Sequence, residues 1–90
     1  MRELAVEQRQ IRDEEGNLRV YEYTVLVGEL AIAPGIFCES YGVKVCERGG
    51  ECGEVRDITV SLTRLDELME LLIRNVVTPC TLRDVIDDWL

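Results

Sequence analysis

EVRDITVSLTRLDELMELLIRNV, residues 54–76, decides the fold, because within it the spacing of apolar residues changes from two to 3.6. In its first part, residues 54–62, Ile58, Val60 and Leu62 alternate, which predicts a strand with those three side chains facing inward. Leu65, Leu68, Met69, Leu72 and Val76 then recur at helical spacing and predict a helix over 64–76. Thr63 and Asp66 stand at the separation of a capping box. Leu71 and Ile73 widen the apolar stripe beyond what one sheet face requires. The helix is therefore expected to touch a second element, either the next helix or another subunit.

Before this switch the chain is strand-like. Residues 3–12 read as a polar edge strand, closed by the turn cluster Asp13-Glu14-Glu15-Gly16-Asn17. Residues 18–32, LRVYEYTVLVGELAI, place Tyr21, Tyr23, Val25 and Val27 on one face and Leu18, Val20, Leu26 and Leu30 on the other. Apolar residues on both sides predict an interior strand, with Gly28 marking a bulge. Pro34-Gly35 supplies the next turn, with Pro where φ is near −65° and Gly where φ is positive. Residues 36–47 form a third strand, with Phe37, Tyr41, Val43 and Val45 on one face and Cys38, Ser40, Lys44 and Cys46 on the other. A Gly49-Gly50 loop leads to the fourth strand.

After the first helix, Thr78 and Pro79 read as N-cap and first helical residue of a last helix over 79–89. Its apolar face carries Leu82, Val85, Ile86 and Trp89, and Cys80, Asp84, Asp87 and Asp88 project from the other. The expected fold is α+β, a four-stranded antiparallel meander followed by two C-terminal helices packed on one sheet face. Residues 1–90 are expected to form one domain, with strands at 3–12, 18–32, 36–47 and 54–62.

The composition narrows the function. Eighteen acidic side chains oppose ten basic ones, giving a net charge of −8, and there is no His. Such a surface repels phosphate backbones and anionic bilayers, so neither nucleic acid nor a membrane is an expected partner, and a basic protein is. The N-terminus lacks the apolar run of a signal peptide, and no segment approaches transmembrane length. A cytoplasmic location with reduced cysteines follows as the expectation.

The candidate chemistry is sparse. Cys38, Cys46, Cys52 and Cys80 lack the paired short spacing of a zinc site. On one strand Cys38 and Cys46 would stand about 26 Å apart, at about 3.3 Å per residue. Cys46 and Cys52 flank the Gly49-Gly50 turn, where a disulfide or a two-thiol clip across a hairpin is one reading, but the favoured expectation is a small strand residue at Cys46 and a loop thiol at Cys52. Cys80, at the second position of the last helix, is a candidate reactive thiol because a helix N-terminus favours the thiolate. Against it, Asp84 follows one turn later. Asp84, Asp87, Asp88 and Trp89 are the candidate partner-contact residues. Two of those carboxylates sit at a helix C-terminus, against the dipole, and Trp89 is the only Trp. Ser40 and Ser61 have no His to serve as base, and no phosphate-binding glycine loop is present. No cofactor and no catalytic residue is expected.

Several short motifs carry a resemblance. They are Tyr21-Glu22-Tyr23, Ser40-Tyr41-Gly42-Val43, Asp57-Ile58, Asn75-Val76-Val77-Thr78-Pro79, Leu82 and Asp84-Val85-Ile86-Asp87-Asp88. Together they resemble a family of small uncharacterised proteins of Clostridia-like anaerobic bacteria, classed as a domain of unknown function. The resemblance spans nearly the whole chain and implies a shared fold without assigning chemistry, and the cysteines lie outside its pattern. The expected function is a non-catalytic protein-interaction or regulatory module, with a basic protein or a second copy of the chain as partner. The alternative is a thiol-based redox or metal-handling protein using Cys46 and Cys52, or Cys80.

Overall fold

A computed structural model describes residues 2–90; Met1, the first residue of the expected domain, lies outside the described residues. Four strands, β1 (Arg2–Arg12), β2 (Leu18–Ala33), β3 (Ile36–Glu47) and β4 (Cys52–Thr59), precede two helices, α1 (Leu62–Arg74) and α2 (Leu82–Trp89). The strands pair antiparallel in the order β1-β2-β3-β4, the meander expected from the short turns. Asp13 closes the first turn by accepting hydrogen bonds at Oδ1 from the backbone N–H groups of Glu15 and Asn17. Gly35, at φ 74°, takes the left-handed position after Pro34.

Both helices lie on one face of the sheet. Tyr21, Tyr23, Val25 and Val27 of β2 and Tyr41, Val43 and Val45 of β3 form the sheet side of the core. Leu65, Leu68, Met69 and Leu72 of α1, Val77 of the linker, and Leu82 and Ile86 of α2 complete it. Leu71 and Ile73 pack partly against this cluster, and outside the apolar stripe Arg64 of α1 lies over Trp89 of α2.

The structure corrects several local expectations. The fourth strand ends at Thr59, not at residue 62, and Val60 and Leu62 are exposed. The cause is a bulge: Val43 pairs with Val55 but Tyr41 pairs with Thr59, and Asp57 within the gap has φ 53°. The bulged backbone lies directly over Gly42, where a Cβ would fall 2.4 Å from the Val55 carbonyl oxygen. Gly28, expected at a bulge, instead pairs in register with Ser40. Leu18 and Leu30 are exposed, so on the open face of β2 only Val20 and Leu26 are buried. Phe37 shares a face with the core residues of β3 but lies beyond the helices and is exposed.

Helix α1 starts two residues earlier than expected because Ser61, rather than Thr63, caps it, its Oγ accepting from the Arg64 N–H at 3.3 Å. It ends at Arg74, so Val76 lies beyond it at φ 49°. The Val76 N–H donates to the Ile73 carbonyl and the Val77 N–H to the Leu72 carbonyl, the double bond of a Schellman ending. Helix α2 begins at Leu82, not at Pro79. Residues 78–81 form a separate turn in which the Thr81 N–H donates to the Thr78 carbonyl. The Thr81 hydroxyl accepts from the Thr78 N–H instead of capping the helix.

The linker between the helices is fixed from the sheet. Tyr23, fully buried in β2, donates its hydroxyl to the Val77 carbonyl at 2.9 Å. Arg9 of β1 donates to the Ile73 carbonyl at 3.0 Å, satisfying an end-of-helix acceptor with a positive charge. Burial pushes the Tyr23 phenol up to about 12. Tyr23→Phe leaves the Val77 carbonyl without its partner and is expected to cost about 1–2 kcal/mol in urea denaturation. The pH dependence has a definite sign. The unfolded phenol releases its proton near 10 and the folded one near 12, so its contribution is complete below pH 10 and is lost as pH rises toward 12. Denaturation midpoints recorded from pH 8 to 12 are expected to fall less steeply above pH 10 in Tyr23→Phe than in the parent.

Candidate interaction site

The residues singled out in the last helix divide between two roles. Leu82 and Ile86 are buried, and Val85 and Trp89 pack partly against the core, so the apolar stripe closes the fold as its spacing implies. Trp89 also receives the Arg64 guanidinium over its ring, 4.1 Å from the centroid. Asp84, Asp87 and Asp88 are exposed. Asp88 joins Trp89, Val85, Leu71 and Asn75 around a groove of about 340 Å³ between the two helices. An apolar floor with one carboxylate at its rim suits a partner side chain that is itself apolar with a cationic end.

The cysteines separate. Contrary to the expectation of reduced, separate thiols, Cys46 and Cys52 face each other in the β3–β4 register, where the hairpin brings them together, and are joined by a disulfide. Because Val45 is a core residue on the helix-covered face, its neighbour Cys46 and the bridge lie on the open face. Cys38 and Cys80 are free. Cys80 is exposed in the 78–81 turn, 3.4 Å from the Thr78 hydroxyl, and is not the second residue of a helix, so the helix-terminus argument for its reactivity loses its geometric premise. Among the described residues no three His, Cys, Asp or Glu side chains converge on a common point.

The largest exposed apolar feature escaped the sequence reading. Among the described residues, pairing of β1 to β2 reaches Val27 and pairing of β4 to β3 reaches Tyr41, while β2 and β3 continue together to the Pro34-Gly35 turn. Residues 28–40 thus form a two-stranded arm. On it Leu30, Ile32, Ile36 and Phe37 are 42%, 61%, 54% and 60% exposed. The arm's charged side chains are Glu29 and Glu39, and no Lys or Arg occurs between Arg19 and Lys44. The readable signal is length, since strands of 16 and 12 residues are flanked by strands of 11 and 8. At the base of the arm, Leu26, Gly28, Ser40, Gly42, Arg56 and Asp57 line a shallow depression of about 280 Å³.

The three aspartates of α2 differ in their relation to its dipole. Asp84 is in the first turn, where negative charge stabilises, whereas Asp87 and Asp88 occupy a last turn without any basic residue. Asp84→Asn is expected to lower stability and Asp87→Asn/Asp88→Asn to raise it, each by about 0.3–1 kcal/mol at low salt. Thermal melts at low and high ionic strength check both the signs and their screening.

The chain matches, over residues 2–90, the model of a family described as a family of unknown function, DUF6514. No curated protein and no solved structure matches it. The match covers every strand and helix described above, and the chain belongs to the DUF6514 family.

Proposed function

We propose that this chain is a non-catalytic protein-interaction module, regulatory in role, whose docking surface is the β2–β3 arm. The observation that carries the reading is the exposure of Leu30, Ile32, Ile36 and Phe37, four large apolar side chains spread over the two faces of a thirteen-residue arm. Isolated surface hydrophobes are ordinary, but four on one short projecting element suit a surface that another protein covers. A two-stranded hairpin is also marginal alone in water, and a partner that pairs with its edges supplies what β1 and β4 do not.

Charge selects the kind of partner. The net charge of −8, with Glu29 and Glu39 on the arm itself, favours a basic protein over a second acidic copy, although two-fold self-association uses the same edges. The exposed Asp84, Asp87 and Asp88 of α2 favour the same sign of partner. The motif resemblance supports an origin in a Clostridia-like anaerobic bacterium. Nucleic acid and anionic membrane are disfavoured by the same charge.

Ile32→Lys/Phe37→Lys is the direct test. Both side chains are more than half exposed, so the double variant is expected to stay within about 0.5 kcal/mol of the parent per substitution. Affinity capture from native-cell extract is expected to recover a basic protein with the parent and to lose it with the variant. Equal recovery of the same proteins by both chains would remove the arm as the docking surface. Sedimentation equilibrium on the purified parent identifies self-association as the alternative occupancy.

A further inference from the structure

The Cys46–Cys52 bridge stands at one end of a chain of contacts that leads to the last helix. Cys52 is the first residue of β4, and its successor Gly53 lies directly beneath the turn preceding α2. A Cβ placed on Gly53 would fall 2.5 Å from the Pro79 carbonyl oxygen, so the 78–81 turn rests on bare β4 backbone at this point. β4 is also the strand against which α2 makes its main contacts. The seat of α2 therefore depends on where the start of β4 is held.

That start is weakly held by other means. β4 is an edge strand, its pairing with β3 is interrupted by the Asp57 bulge, and its first half pairs through Cys52, Gly53, Glu54 and Val55 alone. No side chain of Gly53 anchors it to the core. Beside the short Arg48–Glu51 hairpin loop, in which the Glu47 N–H donates to the Glu51 carbonyl, the disulfide is the one covalent cross-link between this segment and β3. It is also open to attack: it lies on the sheet face that the helices leave bare, and Cys52 is exposed.

We propose that Cys46 and Cys52 form a reversible dithiol–disulfide pair whose oxidation state sets how firmly residues 78–90 are held on the sheet. This inference is independent of what docks on the arm. The co-reactant is a dithiol, small or protein-borne. Its first thiolate attacks the Cys52 sulfur, the Cys46–Cys52 bond breaks, and the Cys46 sulfur leaves as a thiolate that takes up a proton. The second thiol of the reductant, as thiolate, then displaces the Cys52 sulfur from the mixed disulfide, and that sulfur is protonated in turn. Two electrons and two protons pass to the protein, and the reductant is left as its own disulfide. In the reduced state the start of β4 separates more readily from β3, Gly53 shifts under Pro79, and α2 loosens with it.

The test uses the full chain carrying Cys38→Ala and Cys80→Ala, so that only the pair can react. Amide hydrogen exchange over residues 82–90 and Trp89 fluorescence are recorded in the oxidised protein, after dithiothreitol at neutral pH, and after reoxidation. Iodoacetamide mass labelling counts the thiols at each stage. Reduction is expected to expose two thiols, to speed exchange of 82–90 by about tenfold and to perturb Trp89, with reoxidation reversing all three. Cys46→Ser/Cys52→Ser in the same background is expected to exchange at the fast rate with or without dithiothreitol. If that variant does not fold, the reduction and reoxidation cycle decides alone. A bridge that resists dithiothreitol, or one that is reduced with exchange of 82–90 unchanged, would falsify the proposal.

Discussion

The hydrogen bond from the Tyr23 hydroxyl to the Val77 carbonyl fixes the relation between the two layers of this protein. The end of α1 presents carbonyls that no residue within the helix satisfies, and the chain there is carried into the interior rather than into water. Val77 is buried, so its carbonyl needs a protein donor. The donor comes from the middle of the longest strand, and Arg9 of β1 supplies a second one turn back, to Ile73. Two strands therefore grip the last turn of α1 from below. This grip also explains how Val76 is held at φ 49°, a conformation costing a β-branched residue about 1–2 kcal/mol. The Schellman bonds, the burial of Val77 and the Tyr23 contact all require the chain to reverse at that residue, and together they offset the strain.

The same layer relation sets the shape of the molecule. A helix of 13 residues is about 20 Å long at 1.5 Å per residue, whereas a strand of 16 residues reaches about 53 Å at 3.3 Å per residue. The molecule measures 54 × 24 × 18 Å, so its long axis is essentially the length of β2. No placement of α1 and the shorter α2 on one face covers that strand. Once Tyr23 fixes the helices over its central part, the end carrying Leu30 and Ile32 must project. The arm is thus a consequence of element lengths and of one buried hydrogen bond.

Much of this was legible in the sequence, for a reason that separates it from what was not. The alternation of Tyr21, Tyr23, Val25 and Val27, and the helical spacing of Leu65, Leu68, Met69 and Leu72, report local geometry against a single core, and the core contains all eight. Caps and strand ends depend on competition between neighbours. Ser61 and Thr63 both suit an N-cap, as do Thr78 and Thr81, and the choice falls to whichever position the preceding bulge or turn delivers to the core. The parity of β4 failed for the same reason: the Asp57 bulge, which residue types alone do not announce, ended the alternation before Val60 and Leu62. The arm was hidden differently, since Phe37 and Ile32 carry the apolar character of core residues and only the extent of β1 and β4 among the described residues reveals their exposure.

Asp87 and Asp88 gain nothing for the fold from their place at the end of α2, and the exposed side chains of the arm gain nothing from theirs. A sequence selected for stability alone would neutralise the first and make the second polar, since neither change disturbs a buried contact. By contrast Gly42 and Gly53 are bare where backbone crosses over them, and Tyr23 is placed where a carbonyl needs it, so their identities are accounted for by packing. The positions whose identity the fold does not explain lie on the arm and on α2. They are of two kinds, apolar and acidic, and packing accounts for neither.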